Sequence, residues 1–311
     1  MKNIAIIGAG LMGHGIAQVM AVHGCRVTLM DLKAEILAAA RKHIHANLTL
    51  LAGHGLGATD DIEPALNRIT CTGNLQDAVG NAELVIEAVV EKLAIKQKLF
   101  MDLDDLCAPE TILATNTSVI SISEIARPAR HRHRIVGTHF WNPPYLIPLV
   151  EVIKGVDTSN ETMEQTFAFL QAVGKHPVKV LRDVPGFVGN RLQHALWREA
   201  LSIVEQGIAD AATVDECIKF GFGIRLPVLG PLENVDMVGT DLTLDIHNYL
   251  LRHLEHSSKP SGLLIAKVKH NELGFKTGKG YQEWSPEMMS ESRTRLQEYL
   301  IDVIKSKGKQ Q

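Results

Sequence analysis

Asn3-Ile4-Ala5-Ile6-Ile7-Gly8-Ala9-Gly10-Leu11-Met12-Gly13 stands at the head of the chain, and its continuation to Asp31 decides the fold. The apolar run Asn3 to Ile7 ends in three glycines spaced Gly-x-Gly-x-x-Gly. From about Met12 to His23 the Ala, Gln, Val and Met residues follow a helical period, and a second apolar run, Arg26 to Met30, closes on the acid Asp31. The succession is strand, turn, helix, strand.

Downstream, a helical pattern runs from Asp31 to about Leu51, and the segment Gly53-His54-Gly55-Leu56-Gly57 turns it back toward a second helix at Ile62 to Asn67. This helical hairpin interrupts an alternation that then resumes. Strands are predicted at Ile69 to Cys71, Leu84 to Ala88, Thr111 to Thr115, Arg134 to Phe140, Ile147 to Ile153 and Pro177 to Leu181. Helices are predicted at Ala94 to Leu106 and around Ser121 to Ala126. Alternation of this kind implies a mostly parallel, doubly wound α/β sheet. Past Asp183 to Gly186 the pattern turns helical: Val188 to Gln206, Thr213 to Lys219, Leu232 to Ser257, Gly262 to Lys269 and a final amphipathic helix, Glu291 to Gln311. Only Tyr281 to Trp284 reads as a further strand. Two domains follow, residues 1–184 with the sheet and residues 185–311 all-helical.

In that context the glycines gain a meaning. Gly8 permits the tight turn, Gly10 lets backbone approach a pyrophosphate, and Gly13 lets helix and strand pack closely, while Leu11 and Met12 open the helix whose free N–H groups face an anion. Asp31 ends the second strand where a carboxylate accepts from the adenosine ribose, and its charge would repel a 2′-phosphate. The cofactor read from these residues is NAD, bound in a Rossmann-type domain.

Composition narrows the class. A chain of 311 residues suits about two domains, and a formal net charge of −3 with both signs mixed gives no footprint for nucleic acid. No apolar run approaches the ~18 residues of a membrane span, and no secretory leader is recognisable at the start. Cys25, Cys71, Cys107 and Cys217 are scattered without Cys-x-x-Cys spacing, so neither a disulfide framework nor a zinc site is suggested and a cytoplasmic location fits. His43-Ile44-His45 and His131-Arg132-His133 recruit no acidic or cysteine ligands at metal spacing, and no metal is expected.

His139 and Glu151 bracket the run His-Phe-Trp-Asn-Pro-Pro-Tyr-Leu-Ile-Pro-Leu-Val-Glu, in which a proline-broken loop joins two apolar strands. If the strands pair, imidazole and carboxylate meet. A neutral imidazole can remove a hydroxyl proton near neutral pH, and a buried carboxylate fixes its tautomer. The competing reading is a satisfied loop histidine and an edge-strand glutamate.

These two motifs and a third, Asp183-Val184-Pro185-Gly186-Phe187-Val188-Gly189-Asn190-Arg191, make the chain resemble the NAD-dependent L-3-hydroxyacyl-CoA dehydrogenase family over nearly its whole length, to about Trp284. The resemblance implies a Rossmann-type domain with a helical hairpin insert, a helical C-terminal domain that forms a homodimer, and a small-molecule substrate. It implies His139 as catalytic base, Glu151 as its orienting partner, Ser118 at the substrate hydroxyl and nicotinamide, and Asn190 orienting the substrate. It also implies Glu91 and Lys96 near the nicotinamide ribose, Lys276 reaching the cofactor, and Asn116 and Asn142 among the cofactor-binding positions. Plain alternatives remain: Ser118 as a helix N-cap with Ser121 and Ser123 as rivals, and Asn190 as a cap of the helix after it.

Two departures from the family leave the substrate open. The hairpin segment Arg41-Lys42-His43-Ile44-His45 carries few of the lysines that meet the nucleotide part of coenzyme A. Arg225, in Gly223-Ile224-Arg225-Leu226-Pro227, stands where relatives that oxidise free polar acids, the gulonate 3-dehydrogenase (lambda-crystallin) and carnitine dehydrogenase branches, carry an arginine. It is a candidate for pairing a free substrate carboxylate. Asn142-Pro143-Pro144-Tyr145 leans the same way, whereas Asp236 to Asp241 resembles the acyl-CoA branch. The leading expectation is oxidation of an L-3-hydroxyacyl-CoA to its 3-keto product. Oxidation of a free small 3-hydroxy acid stands second, and a non-catalytic NAD-binding structural protein is the alternative of another class.

Overall fold

The computed structural model describes residues 1–308 and forms two compact units, 1–191 with 297–308, and 192–296. In the first, β1 (Asn3–Ile7), α1 (Leu11–Val22) and β2 (Arg26–Met30) lead into α2 (Ala34–Gly53), α3 (Ile62–Asn67), β3 (Ile69–Thr72) and α4 (Leu75–Val79). Then come β4 (Leu84–Glu87), α5 (Leu93–Leu106), β5 (Ile112–Thr115), α6 (Ile122–Ala126), β6 (Ile135–Phe140), β7 (Leu149–Ile153), α7 (Asn160–Ala172) and β8 (His176–Val180). The eight strands lie in the order β3-β2-β1-β4-β5-β6-β7-β8, every neighbouring pair parallel except β6 with β7. Order reverses beside β1, between β2 and β4, which opens a crevice at the carboxyl ends of the strands where such sheets take their ligands.

The continuous apolar character of the strands follows from burial on both faces. Along β1, Ile4 and Ile6 enter a core with Ile16 and Met20 of α1, while Ala5 and Ile7 enter another with Phe100 and Leu103 of α5. Within α2 the buried residues Leu37, Ala40, Ile44 and Leu48 recur at three- and four-residue steps, so the hairpin lays one stripe on the first core.

Sequence reading passed over two helices. The five residues of α4 are too few to show a period, and α7 is mostly polar, its buried stripe reduced to Thr162, Met163, Thr166, Phe169 and Leu170. Asn74 and Ser159 mark their starts, each accepting a backbone N–H three residues on. The contact boundary at Arg191 lies beyond the change of sequence pattern at Val184, because Val188 and Gly189 donate their N–H groups to Glu151 of β7.

The second unit is helical: α8 (Gly189–Glu205) enters it, followed by α9 (Ala211–Phe220), α10 (Pro231–Val238), α11 (Thr240–Leu250), α12 (Gly262–Lys269) and the start of α13 (Pro286–Gly308). The single helix expected from Leu232 to Ser257 is broken at Gly239, whose φ of 106° no helix allows. Instead of a strand at Tyr281 to Trp284 there are isolated bridges, Gly274 with Lys279 and Lys279 with Glu283. Of the helix expected to Gln311, the last residues lie outside the described range.

Candidate active site

The phosphate turn is built by contact. A Cβ on Gly13 would stand 1.7 Å from the Gly8 carbonyl oxygen, and one on Gly8, at φ 100°, 2.6 Å from that of Ala88. Both positions require glycine for packing. A Cβ on Gly10 would meet nothing within 4 Å, and no side chain caps α1, so open space lies before the amides that begin the helix. That is the cradle a pyrophosphate fills. Asp31 closes the turn by accepting the Ala9 N–H at 3.0 Å, while Leu11 stays 65% exposed.

Beyond the turn a polar row crosses one face of the sheet. Glu87 of β4 and Thr115 of β5 are in register, and the Thr115 hydroxyl donates to Glu87 at 2.6 Å. Glu87 is fully buried and takes the Lys96 ammonium at 2.6 Å; the same ammonium reaches Glu91 at 3.2 Å. Lys96 is 1% exposed, so it stands behind Glu91 and acts on the crevice only through it. Glu91 also accepts from the Thr117 hydroxyl and from the N–H groups of Ser118 and Val119. Burial pushes the Glu91 carboxyl up, but Thr117, Lys96 and Ser118 together hold it below the usual range. One ammonium between two carboxylates leaves this corner net negative.

Further along, His139 and Glu151 are direct partners across the antiparallel pair β6–β7. His139 Nδ1 lies 2.8 Å from Glu151 Oε2, with side chains 5% and 1% exposed. Oε1 of the same carboxylate accepts from Val188 N at 2.9 Å and Gly189 N at 3.0 Å. Burial raises the Glu151 carboxyl, and the contacts to His139, Gly189 and Val188 outweigh it, so the group stays ionised. Trp141 and Phe187 flank the imidazole, and the indole fits because residue 189 is glycine: a Cβ there would come within 2.5 Å of it.

Ser118 and Asn190 meet, since the Asn190 carboxamide donates to the Ser118 carbonyl at 2.9 Å. Asn116 accepts the Phe140 N–H at 2.9 Å, tying the end of β5 to the strand that carries His139. Ser121, not Ser118, caps α6. Asn142 is exposed and lines a cavity of about 630 Å³ with Gly10, Leu11, His14, His43, Asn47 and Tyr145. Arg225 and Lys276 are exposed residues of the second unit. Among the described residues, no three His, Cys, Asp or Glu side chains are placed to hold a metal ion, and no helix is long and apolar enough to cross a membrane.

Sequence reading did not find Glu87, Thr115 or Lys175. Glu87 had a trace, an acid ending an otherwise apolar strand. Lys175 had none: its ammonium reaches the Pro144 and Ile147 carbonyls at 2.7 and 2.6 Å, and burial pushes it down to about 8. A buried lysine reads as a surface one until the loop is folded over it.

A glycine-cradled helix start at the switch point of a doubly wound sheet, followed by an acid, defines a dinucleotide-binding domain. The chain matches the sequence models of 3-hydroxyacyl-CoA dehydrogenase, its NAD binding domain over residues 3–184 and its C-terminal domain over residues 186–284. It belongs to that family, its cofactor is NAD, and it is an oxidoreductase. It is 33% identical to 5-formyl-3-hydroxy-2-methylpyridine 4-carboxylate 5-dehydrogenase of Mesorhizobium japonicum, over 97% of each chain. A crystal structure of such an enzyme, described as an NAD+-dependent dismutase, superposes with a TM-score of 0.90. The chain is also 39% identical to human mitochondrial hydroxyacyl-coenzyme A dehydrogenase over 91% of each chain. With a probable 3-hydroxybutyryl-CoA dehydrogenase of Bacillus subtilis it shares 38% identity, over 91% of this chain and 98% of the relative.

Proposed function

We propose that the chain oxidises the 3-hydroxyl of an L-3-hydroxyacyl-CoA-type substrate to the 3-keto product, reversibly, with His139 as base and Glu151 as its orienting partner. The observation that carries this is the buried 2.8 Å contact between His139 Nδ1 and Glu151 Oε2. An ionised Glu151 accepts a hydrogen bond from Nδ1–H and so holds the tautomer whose bare Nε2 faces the substrate hydroxyl. When the hydroxyl proton arrives, the carboxylate stabilises the imidazolium, itself kept in place by the Val188 and Gly189 amides. Ser118 holds the substrate oxygen, and Asn190 fixes the Ser118 backbone while orienting the substrate. NAD, when bound, supplies the hydride acceptor. The amides of Gly10 to Gly13, with Asp31, Glu91, Asn116 and Asn142, would hold it, and the open space before Gly10 fits its pyrophosphate. His139→Gln tests the reading: NADH formation should fall by about 10²-fold or more, and an undiminished rate would refute it.

A free small polar 3-hydroxy acid, of the L-gulonate or carnitine type, is the second reading. No lysine or arginine lines the cavity beside Asn142, so no anchor for a nucleotide phosphate is found there, and the exposed Arg225 is the candidate for pairing a carboxylate. The Mesorhizobium relative is named for a free carboxylate rather than a thioester. NAD reduction compared across 3-hydroxybutyryl-CoA, L-carnitine and L-gulonate separates the two.

The working form is a homodimer in a reducing compartment, the cytoplasm. Among the described residues, no apolar side chain between Leu192 and Leu296 is fully buried, and Phe220, Leu232, Met237, Leu244 and Tyr249 are between 60% and 79% exposed. Helices without a core of their own need a second copy to cover them. All four cysteines are free thiols. Light scattering should return twice the chain mass; a monomer would refute the assembly.

A further inference from the structure

Residues 183–190 lead from β8 into α8, with no helix or strand before Gly189. Their far end is tied to the site: the Val188 and Gly189 N–H groups bond Glu151, and the Asn190 carboxamide donates to the Ser118 carbonyl. The near end is tied as closely. One oxygen of Asp183 accepts the Ser121 hydroxyl at 2.6 Å and the Ser123 N–H at 2.8 Å, and the other accepts the Ile122 N–H at 3.1 Å. These groups begin α6, directly after the loop that bears Ser118.

Asp183 and Asn190 therefore grip the Ser118 loop at two points, and the chain between them supplies the amides that hold Glu151. Within that span the backbone turns sharply. Phe187 takes a φ of 51°, uncommon for a residue with a side chain, and its N–H bonds the Val184 carbonyl at 3.0 Å. The turn buries the Phe187 ring to 1% exposure and sets it 5.7 Å from the His139 imidazole. Such a conformation persists where the surrounding contacts fix it.

We propose that Asp183 is a positioning residue for the reaction: by fastening residues 183–190 to the start of α6, it aligns Ser118 with the His139–Glu151 pair. Its carboxylate bonds none of Ser118, His139 or Glu151, so it acts through the Ser118 loop and the Val188 and Gly189 amides. Both of its oxygens are needed, because each accepts a backbone N–H. An asparagine would set its NH2 against one of those N–H groups. The proposal rests on the dehydrogenase reading above, in which the base and the serine must meet at one hydroxyl.

The test follows steady-state NAD reduction across pH by wild type, Asp183→Asn and Asp183→Glu, with whichever of 3-hydroxybutyryl-CoA, L-carnitine and L-gulonate the wild type turns over. Glutamate keeps both acceptors and pushes the segment back by one methylene, so it separates alignment from stability and carries the test if the asparagine variant does not fold. Ser159→Ala, which removes the cap of α7, is the control for lost stability alone. In both Asp183 variants kcat should fall about tenfold or more, since a misplacement of about 1 Å can cost about 10²-fold. Asp183 bonds no part of the phosphate turn, so the KM for NAD should stay within about twofold. As the Val188 and Gly189 N–H groups withdraw from Glu151, its charge is less compensated and holds the imidazolium more strongly. The acid limb of kcat/KM, which reports the base, should therefore move up by about 0.5 pH unit. Ser159→Ala should keep the wild-type kcat and acid limb. A wild-type kcat or an unmoved acid limb in the Asp183 variants overturns the proposal, as does the same change in Ser159→Ala. No turnover of any substrate by the wild type would instead overturn the dehydrogenase reading.

Discussion

Replacing Glu151 by glutamine changes one atom and should undo the reaction through geometry alone. Oε1 of Glu151 is held by the Val188 and Gly189 N–H groups at 2.9 and 3.0 Å, and Oε2 faces His139 Nδ1 at 2.8 Å. A glutamine must place its one oxygen on the two backbone donors, which turns its NH2 toward the imidazole. Nδ1 then has to accept, so the proton moves to Nε2, the atom that must be bare to receive the substrate proton. The wrong tautomer, with no anion to stabilise the imidazolium, should lower kcat by about 10²- to 10⁴-fold. Neither the phosphate turn nor Asp31 touches Glu151, so NAD affinity should stay within about threefold. NADH absorbance gives kcat, and NADH fluorescence quenching gives cofactor affinity. A Glu151→Gln enzyme within about threefold of wild-type kcat would show that the carboxylate does not set the tautomer, and the argument would fail.

Three further outcomes follow from the packing. Gly10→Ala, with nothing within 4 Å of the new Cβ and φ at −67°, should leave the melting temperature unchanged and weaken NAD binding at least about tenfold by calorimetry; unchanged affinity would refute the cradle. Gly13→Ala puts a Cβ 1.7 Å from the Gly8 carbonyl oxygen and should cost about 3 kcal/mol or more in urea unfolding. Burial raises the Asp104 carboxyl, but Arg134 and the His131 and Arg130 amides bring it from 3.8 down to about 2. Because the folded value is the lower one, the stability this gives, roughly 2 kcal/mol, is complete above pH ~4 and lost as pH falls toward 2. The gap between wild type and Asp104→Asn in urea midpoints should close over that interval, and a gap independent of pH would contradict the assignment.

Much of the sheet-bearing domain is legible in the sequence because its signals are local. The run Asn3 to Ile7, the three glycines and Asp31 specify strand, turn and helix within one stretch, and the structure places β1, α1 and β2 within a residue of the expected bounds. His139 and Glu151 were placed as candidate partners on the expectation of two paired strands, and β6 and β7 do pair in that register. What the sequence hides is non-local or weakly patterned. The burial of Lys96 behind Glu91 depends on Glu87, nine residues earlier, and on Thr115 from the neighbouring strand. The break at Gly239 was lost in an uninterrupted helical pattern, because an isolated glycine is tolerated in one. The return of α13 to the first unit leaves no mark before folding, since its apolar stripe would suit any partner.

Proton transfer from a 3-hydroxyl to an imidazole held by a carboxylate, with reduction of NAD, is measured by NADH formation from 3-hydroxybutyryl-CoA, L-carnitine and L-gulonate with wild type and His139→Gln side by side. Selective turnover of one substrate by the wild type, lost by about 10²-fold or more in the variant, is the predicted result. No NADH from any of the three, or equal rates from both proteins, would contradict it.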